Sequence, residues 1–335
     1  MENTSFQDKK VLLSGLSLVG TVYNEAASIG EFLNSVYSMT HLPAEFVLVD
    51  GGSTDGTAEM ILDFFQRNKH LISARLIVDS TCNARFTSGP IARGRNAAIA
   101  HASNGIIACV DAGCTVDKNW LAALSRPFSD LSVDAVAGWY VPDARSFFEA
   151  CVAVVLVAPA QAVRSETVVP SSRSFAFRKS VWTKVGGYSE RSFWGEDTMF
   201  VVSLRSAGLK MQFEPEAVVH WRMRSSLKEF ASLVFGYGYG DGFHSIMRAN
   251  IGKVLGKIGF AVLLLALGMI LTRWFFLLLF LYWLLLPHNK RLSSAFKLAS
   301  IPRLPIVAVL KVISDCSYAV GYFAGGRARR SSHSD

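Results

Sequence analysis

One alternation limits what this chain can fold into. From Leu16 to about Val141, short apolar runs trade places with longer stretches of helical period. "LSLVGTV", "EFVLVD", "ARLIVD", "GIIACVD" and "VDAVAGWYV" are rich in Val, Ile and Leu and bounded by Gly, Asp or Asn, so they read as buried strands. Between them, "AASIGEFLNSVYSM", "TAEMILDFFQRN", "PIARGRNAAIAHAS" and "KNWLAALSRPF" place apolar side chains at helical spacing. Strands joined through helices pair in parallel, which predicts an α/β fold: a mostly parallel sheet with helices on both faces.

Such a sheet indicates where its own site lies. Ligands of open α/β folds sit beyond the carboxyl ends of the strands, where the loops into the next helices converge. The residues there are Tyr23, Asn24 and Glu25; Asp50, Gly51 and Gly52; Asp79; and Asp111, Ala112 and Gly113. In "VLVDGGSTDG", residues 47–56, a buried strand ends on a carboxylate, and two glycines would let a flat ligand approach the backbone. "STDGT" then supplies a helix cap with free amides. The same letters also serve strand-to-helix turns for conformational reasons alone. "GPIARGRN" sets Arg93, Arg95 and Asn96 at a helix start, a place for phosphate charge or for a salt bridge to an acidic loop.

Composition bears on what lies outside this sheet. Hydrophobic residues make up 51% of the 335 and charged residues 18%, with a formal net charge of +8. The basic residues thicken after Arg222, around the most apolar part of the chain, which points to a membrane surface and not to nucleic acid. Five cysteines without CxxC spacing suggest neither a disulfide framework nor a zinc site and fit a reducing, cytosol-facing compartment. The apolar stretch after "MENTSFQDKK" is too interrupted for a signal peptide and reads as the first core strand. The long apolar run from Phe148 to about Gln161, interrupted by Pro159, reads as a buried helix because it is short for a span.

"IGFAVLLLALGMIL" (258–271) and "WFFLLLFLYWLLLP" (274–287) are separated only by Thr272 and Arg273. Basic residues on both sides favour a transmembrane hairpin with both ends cytoplasmic. The stretch from Leu304 to Gly325 carries Lys311 and Asp315 and reads as an interfacial helix leading into a basic tail. The expected domains are 1–224, the α/β domain; 225–252, an amphipathic membrane-edge segment; 253–289, the hairpin; and 290–335, a basic cytosolic loop, interfacial helix and tail. The expected location is the inner membrane of the cell, multi-pass, with the α/β domain cytoplasmic.

"TVYNE", "VLVDGGSTDGT", "GPIARGRNAAI", "VDAGC", "FAFRKSVWTKVGGYSE" and "WGEDTMFVVSLRSAGLK" occur in an order and spacing that resemble the family-2 glycosyltransferases, over residues 16 to about 224. The resemblance makes residues 1–224 a catalytic domain of GT-A fold and implies inverting transfer from a nucleotide-diphosphate sugar to a lipid-linked glycan acceptor. By it, Tyr23, Glu25 and Asp50 line the nucleotide pocket, while Arg93, Arg95 and Asn96 lie near the diphosphate. Asp111 stands as the first acid of the metal-binding DxD motif, and His220 in "VVHWR" is a second ligand for Mn2+ or Mg2+. The second acid of that motif is missing, since Gly113 stands there. Asp197 in "GEDTMF" is the base that takes the acceptor's proton, and Glu196 orients the helix start, since adjacent acids face different ways on a helix. "SSLKEFASLVFGYGYGDGFH" resembles the membrane-edge segment of processive and lipid-linked members, and the absence of QxxRW favours a single transfer over polymerisation. A catalytically silent relative that binds nucleotide sugar or scaffolds a polysaccharide-assembly complex is the alternative that the missing acid leaves open.

Overall fold

The computed structural model describes residues 10–158, 168–270, 277 and 304–332. The chain divides into two compact units, Met1–Val141 with Arg164–Trp221, and Pro142–Val163 with Arg222–Asp335.

The first unit opens with the alternation. It runs β1 (Val11–Val22), α1 (Ile29–Tyr37), β2 (His41–Asp50), α2 (Thr57–Arg67), β3 (Ser73–Val78), α3 (Pro90–His101) and β4 (Ile106–Cys109). β1 pairs in parallel with β2 and β4, and β2 with β3. Leu18, Val19, Val47, Leu48 and Val49 are fully buried, because helices cover both faces and neither residue parity meets water. Val22 stands opposite Asp50, and Asp50 opposite Val78, so three strands end together.

After β4 come β5 (Cys114–Val116), α4 (Trp120–Ser125), β6 (Ala135–Asp143), α5 (Phe147–Leu156), β7 (Phe175–Arg178), α6 (Lys179–Val185), α7 (Glu196–Ser206) and β8 (Met211–Arg222). The sheet order is β3-β2-β1-β4-β7-β6-β8-β5. β7 runs antiparallel to both β4 and β6, and β5 antiparallel to β8. The sheet is therefore mixed: "VDAVAGWYV" does not extend the parallel ladder, because the place beside β4 goes to β7, which arrives later in the chain.

α5 belongs to the second unit, with α8 (Leu227–His244), α9 (Arg248–Ile270) and α10 (Leu304–Ser331). Cys151 and Val152 of α5 are buried, and Pro159 lies outside the described residues. The Ser226 side chain caps α8 by accepting from the Glu229 amide at 3.3 Å. α8 and α10 touch backbone to backbone: a Cβ on Gly238 would lie 2.0 Å from the Tyr318 carbonyl oxygen, and one on Gly321 2.1 Å from that of Phe235.

Two helical stretches, Arg248–Leu267 and Pro305–Ser331, are long and apolar enough to cross a membrane by length and composition. α9 contains most of the first arm of the expected hairpin, whereas the second arm lies outside the described residues except for Leu277. α10 does not stop at Gly325 as the interfacial reading has it. It continues through Gly326 and the arginines to Ser331, and packing against α8 offsets the poor helix propensity of its glycines.

Candidate active site

Two groups of side chains meet the carboxyl edge of the parallel strands. The first forms where β1, β2 and β3 end. Asp50 is fully buried, and its Oδ1 accepts from the amides of Gly52 at 2.7 Å and Ser53 at 2.6 Å. Its Oδ2 is buried with no hydrogen-bond partner among the described residues. A buried polar oxygen left so carries a desolvation cost that a donor from a ligand would remove.

The loop around Asp50 is tied by its own chain. Asn24, with φ of 54°, accepts from the Thr54 amide at 2.9 Å, and its own amide donates to Ser53 Oγ at 2.8 Å. Asp55 Oδ1 accepts from the amide and hydroxyl of Thr57. Of the amides expected to be free at this helix start, those of Ser53, Thr54 and Thr57 are thus taken by Asp50, Asn24 and Asp55. The glycines also serve the chain itself: a Cβ on Gly51 would lie 2.6 Å from the Cys82 carbonyl oxygen, and Gly52 has φ of 81°. Tyr23 is exposed at this edge, and Glu25 accepts from Ser28 Oγ at 2.5 Å. Asp79, at the end of β3, is held below the ordinary carboxylate range first by the Thr81 hydroxyl and more weakly by the charge of half-buried Arg93.

The second group centres on Arg95, a buried residue of α3. Its Nη2 donates to Asp111 Oδ1 at 2.6 Å, and its Nη1 to Glu196 Oε1 at 2.8 Å and Asp197 Oδ1 at 2.9 Å. The guanidinium expected near a diphosphate thus faces three carboxylates, and its side chain is only 4% exposed. Among the two uses open to it, the salt bridge is the one its surroundings make. Asn96, expected beside it, is also spent within the chain. It donates to the Tyr188 carbonyl and Glu190, and accepts from the Tyr188 amide and Trp182 Nε1, pinning the "GGYSE" loop to α3.

Glu196 and Asp197 open α7, where the helix dipole favours negative charge. Although adjacent on the helix, they do not part as sequence spacing suggests, because one guanidinium nitrogen inserted at the first turn is reached by both. Asp197 also accepts from Ser172 Oγ at 2.6 Å on Oδ1, and from the Ser172 amide and Ser171 Oγ, each at 3.1 Å, on Oδ2. Burial opposes its ionisation, but the Arg95 charge, the Ser172 hydrogen bonds and Arg173 outweigh burial and hold its carboxyl below the ordinary range. Burial, and then the charge of Asp197, push Glu196 up to about 7. Burial opposes the charge on Arg95 too, yet the three carboxylates keep it a cation.

Residues that sequence reasoning missed complete this group. Cys109 stands opposite Phe175 in the antiparallel β4–β7 register, so two residues beyond the end of β4 and two before the start of β7 Asp111 meets Arg173. Arg173 Nε lies 3.7 Å from Asp111 Oδ2, and its guanidinium carbon lies 4.2 Å from the Trp221 ring centroid and 5.7 Å from that of Tyr140. Tyr188 shares a 2.9 Å hydrogen bond with Ser172, stacks on Phe200 and lies 5.6 Å from the Arg95 guanidinium. The stretch "PSSRS" before β7 was the only signal in the sequence, and nothing in it reveals an antiparallel neighbour.

His220 does not join Asp111. It stands opposite Thr115 on β8, and its Nε2 lies 3.2 Å from Asp117 Oδ1, while its neighbour Trp221 carries the Arg173 stack. Successive strand residues face opposite ways, which separates the two. Among the described residues, no group of three or more His, Cys, Asp and Glu side chains could hold a metal ion. Asp111 is the single carboxylate of the expected cation site, with one oxygen already on Arg95, so the residues present do not make a complete ligand set. The two groups share one edge: β1 lies between β2 and β4, which puts Asp50 and Asp111 two strand spacings apart, about 10 Å. A wide cleft of about 900 Å³, lined by Leu13, His41, Asp117, Arg126 and Glu216, lies instead where β1 and β2 begin, and none of the residues of either group borders it.

A mixed sheet of this order, with acids where its parallel strands end, belongs to the GT-A class. In line with that, the chain aligns with the mannosyltransferase PcManGT of Pyrobaculum calidifontis, solved in complex with GDP-Man and Mn2+, with a TM-score of 0.52 and 16% identity, covering 95% of this chain and 75% of that one. The model for "Glycosyl transferase family 2" matches residues 17–150, and that for "Glycosyl transferase family group 2" matches 106–291, more than half of the chain. The chain belongs to the family-2 glycosyltransferases. It is 24% identical over 208 residues to glycosyltransferase AglE of Haloferax volcanii, covering 61% of this chain. It is 26% identical over 216 residues to the O-antigen chain rhamnosyltransferase RfbN of Salmonella typhimurium, again covering 61%. In both cases the match spans 65% of the relative's own length.

Proposed function

We propose that the chain is an inverting glycosyltransferase that moves a sugar from a nucleotide-diphosphate donor to a lipid-linked glycan acceptor at the cytosolic face of a membrane. The first unit is the catalytic domain. The observation that carries this reading is the convergence of Asp111 and Asp197 on one buried guanidinium at the carboxyl edge that also holds Asp50. Asp50 offers its unpartnered Oδ2 to the nucleoside, with Tyr23 and Glu25 beside it, and Arg93 lies toward the phosphates.

Asp197 takes the acceptor proton. The hydroxyl oxygen forms its bond to the anomeric carbon, the bond from that carbon to the diphosphate oxygen breaks, and the electron pair leaves on the diphosphate. Arg95 and the two serines orient Asp197, and Glu196 adjusts the charge around it. The acceptor is read as lipid-linked because the second unit carries two helices with the length and composition of spans, with Arg248, Lys253 and Lys257 at the head of the first.

The test is turnover by the detergent-purified protein with a panel of nucleotide sugars and polyprenyl-linked acceptors. Asp197→Asn is expected to lower kcat by about 100-fold or more, with donor affinity within about threefold of the parent. Turnover equal to that of the parent would remove Asp197 from the reaction.

A further inference from the structure

The place where the chain departs from the metal-binding pattern is also where it carries a guanidinium that the pattern does not call for. Resting on the donor reading given under Proposed function, we infer that Arg173 binds the diphosphate of the donor and neutralises the charge that develops there as the sugar leaves.

Position supports this first. The β4–β7 register brings Arg173 across from Asp111, beyond the end of β4, on the edge where strand-end ligands sit. Arg173 reaches Asp111 Oδ2 at 3.7 Å, the oxygen not bonded to Arg95. It is therefore beside the carboxylate that begins the motif, where Gly113 supplies no second acid.

Chemistry supports it next. When the bond between the anomeric carbon and the diphosphate oxygen breaks, one further negative charge settles on the diphosphate, and something fixed and positive must face it. A divalent cation at a diphosphate takes its ligands from one or two carboxylates, waters and the phosphates; here Asp111 already shares one oxygen with Arg95 and has Arg173 beside the other, and His220 is turned to Asp117. An arginine needs no ligands, stays charged at any working pH, and presents paired N–H groups that match phosphate oxygens. Arg95 does not serve this purpose, because three carboxylates surround it in the interior.

Orientation supports it last. The guanidinium carbon lies 4.2 Å from the centroid of the Trp221 ring and 5.7 Å from that of Tyr140, two rings set at 89° to each other, and Nη1 donates to Ser171 Oγ at 3.0 Å. These contacts hold the guanidinium in place before a ligand arrives, so the flexible arginine stem does not pay its full ordering cost on binding. Ser171 also donates to Asp197, so the residue that holds Arg173 touches the proposed base.

The experiment measures affinities of uridine, guanosine and thymidine mono- and diphosphates by calorimetry, in EDTA and in Mn2+, for the wild type, Arg173→Gln and Arg173→Lys. In EDTA, wild type is expected to bind one diphosphate at least about tenfold tighter than its monophosphate. Arg173→Gln is expected to lose that preference without changing monophosphate affinity by more than about twofold, and Arg173→Lys to keep part of it. A wild-type diphosphate preference that appears only with Mn2+ overturns the inference and leaves the donor reading standing. So does an Arg173→Gln protein that keeps the preference, or one that loses both affinities equally, which marks a merely structural residue. If Arg173→Gln does not fold, wild type and Arg173→Lys decide. Wild type that binds none of the nucleotides in either buffer overturns the donor reading and this inference with it.

Discussion

The Arg95 cluster of the first unit and the α8–α10 contact of the second solve the same problem in opposite ways. In the cluster, four elements are joined by long side chains: α3 sends a guanidinium to the end of β4 and the start of α7, and the serines before β7 close the ring. In the helix pair, side chains are removed, and Gly238, Gly242, Gly321 and Gly325 let one backbone rest on the carbonyls of the other. Charge clustering yields a site whose behaviour depends on pH. Close backbone approach yields a contact governed by shape, beside which Tyr318 Oη donates to Asp241 Oδ2 at 2.5 Å.

Substitutions can break that comparison. Arg95→Met should have the largest effect, about 3–5 kcal/mol of local stability, because it strands three carboxylates around a neutral side chain. Hydrogen exchange at β4 and β7 reads it, and exchange as slow as in the parent would show that the cluster does not hold the strands.

Glu196→Gln sharpens the comparison through pH. A carboxyl raised from 4.5 to about 7 in the fold contributes fully below the ordinary value, and the contribution is lost as pH rises through 7. Between pH 5 and 8 the parent should lose on the order of 3 kcal/mol from this group, at 1.36 kcal/mol per unit, and Glu196→Gln should not. Parallel pH profiles of the two proteins, followed by denaturant unfolding, would refute the assignment.

Gly238→Ala should cost the least, about 1–3 kcal/mol, since a methyl placed against a carbonyl forces the helices apart. Exchange along α8 and α10 should quicken and should show no dependence on salt. A loss that salt alters would mean that the contact is not governed by shape.

Much of the parallel half was legible from residues 16 to 111, because strands buried on both faces are written as continuous apolar runs and their ends as sudden polarity. Asp50 and Asp111 could be placed at one edge for that reason. The partners of Arg95 could not be read, since an arginine at a helix start looks the same whether phosphate or carboxylate faces it. Ser171, Ser172 and Arg173 carry no local pattern at all; their roles follow from β7 lying antiparallel to β4.

What the amino-acid string determined by itself was periodicity and its interruptions: which segments are strand or helix, where the polar edge lies, and that the C-terminal half is apolar enough for a membrane. Only the tertiary structure decided which carboxylate meets which cation. Burial and register act over distances along the chain that no window of sequence contains, and a side chain's charge has a meaning only once its neighbours and its access to water are set.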